Sequence, residues 1–118
     1  MMNDHQRNYY HRMNKAHRLL PFRINGNIAG FVTFYITNNV DKFINRDPWE
    51  FLDDEEDGEE AYIDQCLTHR NVRSPMEIWN YVKDYLSRNY PNIKKITWVR
   101  NKHGKLIRRE YYVHSQVS

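Results

Sequence analysis

Cysteine is almost missing from this chain of 118 residues, with Cys66 its only example. No internal disulfide can form, so a disulfide-stapled scaffold is excluded and a reducing, cytoplasmic compartment is expected. Long hydrophobic runs are missing too. None approaches the ~20 residues of a membrane-spanning helix, and the polar, basic N-terminus lacks the apolar stretch of a secretory signal. Metal-ligand spacing is also lacking. His5, His11, His17, His69, His103 and His114 are scattered, and no His/Cys/Asp group falls at the intervals of a metal site, so no metal is expected. Acidic charge is scarce outside one segment. Nine carboxylates lie between Asp47 and Glu60, which leaves 18 basic residues against six acidic ones in the rest of the chain.

What is present reads as a folded protein. Nine tyrosines and three tryptophans are too many for a disordered chain. A chain of this length buries roughly two-thirds of its unfolded surface, enough for one core. Residues 1–118 are therefore expected to form a single domain, with 46–60 as an acidic, mobile loop within it. The basic body suits phosphates, nucleic acid or an acidic carrier protein. Alternatively, the acidic loop only balances the body and keeps it soluble.

The spacing of Tyr9, Tyr10, Met13, Ala16 and Leu20 predicts a helix over 4–20, stopped by Pro21. Residues 22–37 predict a hairpin turning at Asn25-Gly26. Its second arm, apolar on both faces, belongs inside a sheet, and Gly30 within it signals a bulge or a close backbone approach. A short helix fits near 40–45. Residues 61–68 predict a strand that alternates Tyr62, Asp64, Cys66 and Thr68 against Ile63, Gln65 and Leu67. The stripe Ile78, Trp79, Val82, Tyr85, Leu86 predicts a helix over 74–89. Strands follow at 95–100 and 105–113 around a turn at 101–104. The order implies a mixed sheet with at least one right-handed strand–helix–strand crossover, from 61–68 to 95–100.

Two places carry chemistry. His69, Arg70 and Arg73 stand in a basic turn that feeds the helix start Ser74-Pro75-Met76-Glu77, where Ser74 suits the cap and Glu77 can reach back to it. Free backbone N–H groups, the helix dipole and two guanidinium groups together favour an anion such as phosphate. Asp64, mid-strand among apolar neighbours, has the burial that suits a general base. It has equally the burial of a structural carboxylate paired with an arginine, for which Arg100 and Arg108 are candidates. Cys66 shares its face and reads as a nucleophile or as a small buried hydrophobe.

These segments resemble a small member of the GCN5-related N-acetyltransferase (GNAT) superfamily. INGNIAGFVTFYI is similar to that family's central hairpin. The stretch from YIDQCLTHRNVRSPMEIW to KKITWVRN is similar to its strand, donor loop, helix and following strand, and KLIRREYYV to its closing strand. The family's donor loop is Gln/Arg-x-x-Gly-x-Gly/Ala; HRNVRSPME here holds no glycine, and Pro75 removes one N–H. The YIDQ stretch at Tyr62–Gln65 is also similar to a Phe-Ile-Asp-Trp stretch in the toxin-activating lysine acyltransferases, which lack the glycine loop. The phage DNA-modifying Mom proteins are another divergent branch.

The resemblance implies an α/β fold with a mixed, mostly antiparallel sheet and an N-terminal helix. It implies an acyltransferase whose donor is acetyl-CoA, a longer acyl-CoA or acyl carrier protein, and whose acceptor is an amine on a protein, small molecule or nucleobase. Asp64 would be the base. Tyr111 or Tyr112 would protonate the departing thiolate. The backbone near Cys66 and Leu67 would hold the oxyanion, and His69, Arg70, Arg73 and Ser74 the donor phosphates. Strands 61–68 and 95–100 would splay to admit the thioester arm. The alternative is a non-catalytic module, such as a phage component, that binds nucleic acid or an acidic protein through the basic C-terminal hairpin. A third expectation is a structural component docked by its N-terminal helix.

Overall fold

The computed structural model describes residues 2–68 and 75–113. Its order is α1 (Asp4–Lys15), β1 (Leu19–Ile24), β2 (Asn27–Thr37), α2 (Val40–Ile44), β3 (Glu60–Thr68), α3 (Pro75–Asn89), β4 (Lys95–Lys102) and β5 (Lys105–Tyr112). The strands form one sheet in the order β1-β2-β3-β4-β5. All neighbours are antiparallel except β3 and β4, which are parallel and joined through α3. This is the mixed α/β architecture, with its strand–helix–strand crossover, expected from the sequence.

Helices cover both faces of the sheet. On one, Val82 and Leu86 of α3 pack against Val32, Phe34, Ile36, Ala61 and Ile96. On the other, Tyr9 and Met13 of α1 and Val40 and Phe43 of α2 pack against Tyr35 and Tyr62. β2 supplies both cores by alternation, which explains its unbroken apolar run. α1 thus lays one face, Tyr9 and Met13, into the core.

The N-terminal helix is shorter than its apolar spacing predicts. Asn3 and Gln6 close a capping box at its start. At its end His17 turns left-handed at φ 60°, while the Arg18 N–H donates to Met13 O and the His17 N–H to Asn14 O. That is a Schellman stop. Pro21, expected to end the helix, instead sits in the edge strand β1, where a missing N–H does little harm. The turns Asn25-Gly26 and His103-Gly104 both have positive φ at both positions, as two-residue hairpin turns require.

Gly30 fulfils both of its readings. The β1–β2 register shifts beside it, between Phe22 and Arg23. A Cβ on Gly30 would stand 2.1 Å from the Leu67 carbonyl oxygen, so only glycine lets β2 and β3 approach there.

The acidic segment 46–60, expected to be mobile, is fastened to the fold. Trp49, Phe51 and Leu52 pack on the α1/α2 core. The Asp54 carboxylate accepts from Arg18 Nε at 2.7 Å and from the Ile36 N–H at 2.8 Å, and the Glu55 N–H donates to Ile36 O.

Candidate functional site

β3 and β4 pair only from Glu60↔Lys95 to Ile63↔Trp98, yet β3 continues to Thr68 and β4 to Lys102. Beyond Ile63 they part. The departure begins at a β-bulge in β3, where Asp64 is the extra residue between the pairs Phe34↔Ile63 and Thr33↔Gln65. The bulge also interrupts the strict alternation that the sequence implies for this strand.

The parting opens a cleft of about 620 Å³, within the size range of small-molecule sites. One wall is β3 from Ile63 to Thr68, the other is Trp98, Val99 and Arg100 of β4, and Ile78, Trp79 and Val82 of α3 line it as well. Trp79 and Trp98 lie with ring centroids 4.5 Å apart. The lining is mainly apolar, with Asp64, Gln65, Cys66, Thr68 and Arg100 as its polar members.

The Asp64 carboxylate turns away from this lining into the α1/α2 side of the fold. It accepts hydrogen bonds from Tyr9 Oη and Arg46 Nη2, and the ion pair is almost wholly enclosed, with side chains 3 % exposed for Asp64 and 7 % for Arg46. Arg46 also donates Nε–H to Glu50 O at 2.8 Å and Nη1–H to Phe43 O at 3.1 Å. Burial disfavours its charge, but Asp64 and its other neighbours outweigh that and raise its pKa. Thr33 Oγ1 lies 2.7 Å from Tyr9 Oη. Because the single phenol hydrogen goes to Asp64, the Thr33 hydroxyl is the donor there. Thr33 Oγ1 in turn accepts the Gln65 N–H at 3.0 Å. Burial first, and the Asp64 charge second, push the Tyr9 phenol far above its ordinary value. The bulge is thus pinned by Tyr9, Thr33 and Arg46.

Asp64 therefore has the arginine partner that its burial demands, but the partner is Arg46. Arg108 instead meets Asp41 at 2.8 Å and Glu110 at 3.0 Å, and Arg100 lines the cleft. Cys66, read as a possible buried hydrophobe, is exposed; partial desolvation of its sulfur raises its thiol pKa, so it is not a ready thiolate. Leu67 is exposed at the end of β3. Tyr111 packs edge-on against Trp79 at 5.6 Å, whereas Tyr112 is exposed and donates to Glu110 at 3.1 Å; neither is in the cleft lining. His69, Arg70, Arg73 and Ser74 lie outside the described residues. Tyr9, Thr33, Arg46, Trp79 and Trp98 were not singled out as site residues. Only the two tryptophans left a sequence signal, as large aromatics on the elements flanking the predicted splay.

Among the described residues, no group of His, Cys, Asp and Glu is arranged to hold a metal, and no helix is long and apolar enough to cross a membrane. No family model and no curated protein matches the chain. Among solved structures it is similar to a GphF GNAT-like decarboxylase in complex with isobutyryl-CoA, with TM-score 0.44 and 12% identity over 73% of this chain and 46% of that one. A structure described as an acetyltransferase gives TM-score 0.42 and 19% identity over 72% of this chain and 52% of that one. The chain spans about half the length of either. The likeness is one of overall fold alone.

Proposed function

We propose that this chain is a GNAT-like acyltransferase, moving an acyl group from a coenzyme A or carrier-protein thioester to an amine. The observation that carries this reading is the apolar cleft opened by the parting of β3 and β4. It has the size and lining to take the arm and acyl group of a thioester. The unpaired inner edge of β3 offers backbone N–H groups near Cys66 and Leu67 to the carbonyl oxygen as negative charge develops there. Arg70 and Arg73, with Ser74 at the helix start and His69 beside them, are assigned to the donor phosphates on sequence grounds. In the transfer, the amine nitrogen bonds to the acyl carbon, the C–S bond breaks and the sulfur leaves as thiolate. The amine proton leaves to solvent; Asp64, turned away from the cleft and engaged by Arg46 and Tyr9, holds the β3 bulge that shapes the cleft wall. Tyr111, packed edge-on against the cleft residue Trp79, is a better placed donor to the thiolate than Tyr112.

A specific observation favours the second reading, a binding module: the Asp64 carboxylate is enclosed and already engaged by two donors. Its basic-face version is weakened, because Lys95 and Arg108 are spent on Glu60, Glu110 and Asp41. The experiment is titration of the purified chain with acetyl-CoA, longer acyl-CoA, free coenzyme A and an oligonucleotide, followed by tryptophan emission and thermal unfolding. A donor should quench or shift the emission and stabilise the fold by about 2.7 kcal/mol at a hundredfold excess over its Kd. The Arg70→Ala/Arg73→Ala variant should weaken it at least tenfold. Stabilisation by the oligonucleotide with no response to any thioester would overturn the enzyme reading.

A further inference from the structure

We infer that two copies of this chain join edge to edge through β5, antiparallel about a two-fold axis at Arg109. This would continue the five-stranded sheet into its symmetry mate.

The two sheet edges are treated differently. At β1, Pro21 has no N–H to offer, and its carbonyl accepts from Tyr81 Oη at 3.5 Å. That is a guarded edge. Among the described residues β5 pairs with β4 on one side only, so half of its backbone groups face outward along eight residues. No proline interrupts it.

The side chains of β5 match the same strand run backwards. Among the described residues, the two most exposed large hydrophobics are Leu106 at 70 % and Tyr112 at 63 %. They stand three residues either side of Arg109 on the same face. In an antiparallel pair centred on Arg109, Leu106 of one copy falls opposite Tyr112 of the other, Ile107 opposite Tyr111, and Arg108 opposite Glu110. Each pair lies on one face of the sheet, and each is apolar with aromatic or plus with minus, the kinds of cross-strand pair that stabilise a sheet. Arg108 and Glu110 already meet within one copy, so across the axis the two pairs form one alternating cluster of four charges. The single unfavourable contact is Arg109 with its own copy. Sliding the centre to Arg108 would set Leu106 against Glu110 and Ile107 against Arg109. Sliding it to Glu110 would oppose two carboxylates. The register at Arg109 is thus the one that the sequence of this strand selects, and the contact is self-complementary, as a closed dimer requires.

Analytical ultracentrifugation of the full chain over a range of concentrations tests this. A reversible dimer is expected. Arg108→Glu should raise its dissociation constant at least tenfold by setting two carboxylates opposite each other, and adding Glu110→Arg to that variant should restore it. Arg109→Thr should tighten the dimer by removing the like-charge contact. With Cys66→Ser to remove the native thiol, Arg109→Cys should yield a disulfide-linked dimer on mild oxidation. Directly opposed strand residues have Cα atoms about 4.5–5.5 Å apart, within the span of a disulfide. A chain that stays monomeric at every concentration would overturn the inference, as would a dimer indifferent to Arg108→Glu and Arg109→Thr. Thioester binding is a separate readout, so either result leaves the proposed activity to its own test.

Discussion

Arg46 is the residue on which the site's geometry turns. Its guanidinium is the charge partner of an enclosed carboxylate, and it also ties Phe43 and Glu50 to β3. Removing one member of a buried pair leaves the other charged and unsolvated, which costs about 3–5 kcal/mol. Arg46→Ala should therefore lower the unfolding free energy by about that much, read from urea denaturation. Tyr9 makes a second prediction. In the unfolded chain its phenol titrates at the ordinary 10.0, whereas in the fold the value is raised. Below pH 10 both states keep the proton and stability does not depend on this group. Above it the unfolded chain releases a proton that the folded chain retains, so stability falls as pH rises. Tyr9→Phe should flatten that decline in a series of denaturation curves from pH 9 to 11. The sequence makes legible that Asp64 needs a partner, since a strand carboxylate between apolar neighbours cannot stay alone. It does not make legible which one. Arg46 stands 18 positions earlier, off any periodic relation to Asp64, and only the return of the acidic segment over the sheet brings the two together.

At the scale of elements, the local rules read well wherever a short-range signal existed. Asn25-Gly26 and the 3.6-residue stripe of α3 each involve residues within a turn or two of one another, and both gave the observed element. The end of α1 did not follow. An apolar spacing through Leu20 outvoted the left-handed stop at His17, which no glycine announced. Nor does sequence place the bulge at Asp64, because a bulge is a property of two strands and shows only in their register. Gly30 shows how tight that register is. Gly30→Ala would press a methyl group into the Leu67 carbonyl, on the strand that walls the cleft. The expected outcome is a loss of about 1–3 kcal/mol, together with weaker thioester binding, measured by unfolding and by titration on the same sample.

Across the whole molecule, charge is not distributed as composition suggests. Most carboxylates of the acidic segment face water, but Asp54 is a fastener. Asp54 joins the end of α1, through Arg18, to β2, and Arg18 Nη1 donates to Tyr90 Oη at 3.0 Å beyond α3. One carboxylate thus knits together segments from both faces of the sheet. Asp54→Ala should release 46–60 while leaving the sheet folded, seen as new proteolytic cuts confined to that segment under conditions where the parent chain resists. Residue counting could not anticipate this, because a run such as DDEEDGEE looks the same in sequence whether its charges face water or a buried arginine.

The parted strands have one more consequence. A sheet normally behaves as a continuous plate, but this one is two leaves, β1-β2-β3 and β4-β5, bound along a spine only four residue pairs long. Each leaf holds its own hairpin intact, and α3, packed on Val32 and Phe34 of one leaf and Ile96 of the other, bridges them. The cleft is then the open side of a book, held at its spine by four residue pairs and along its cover by α3.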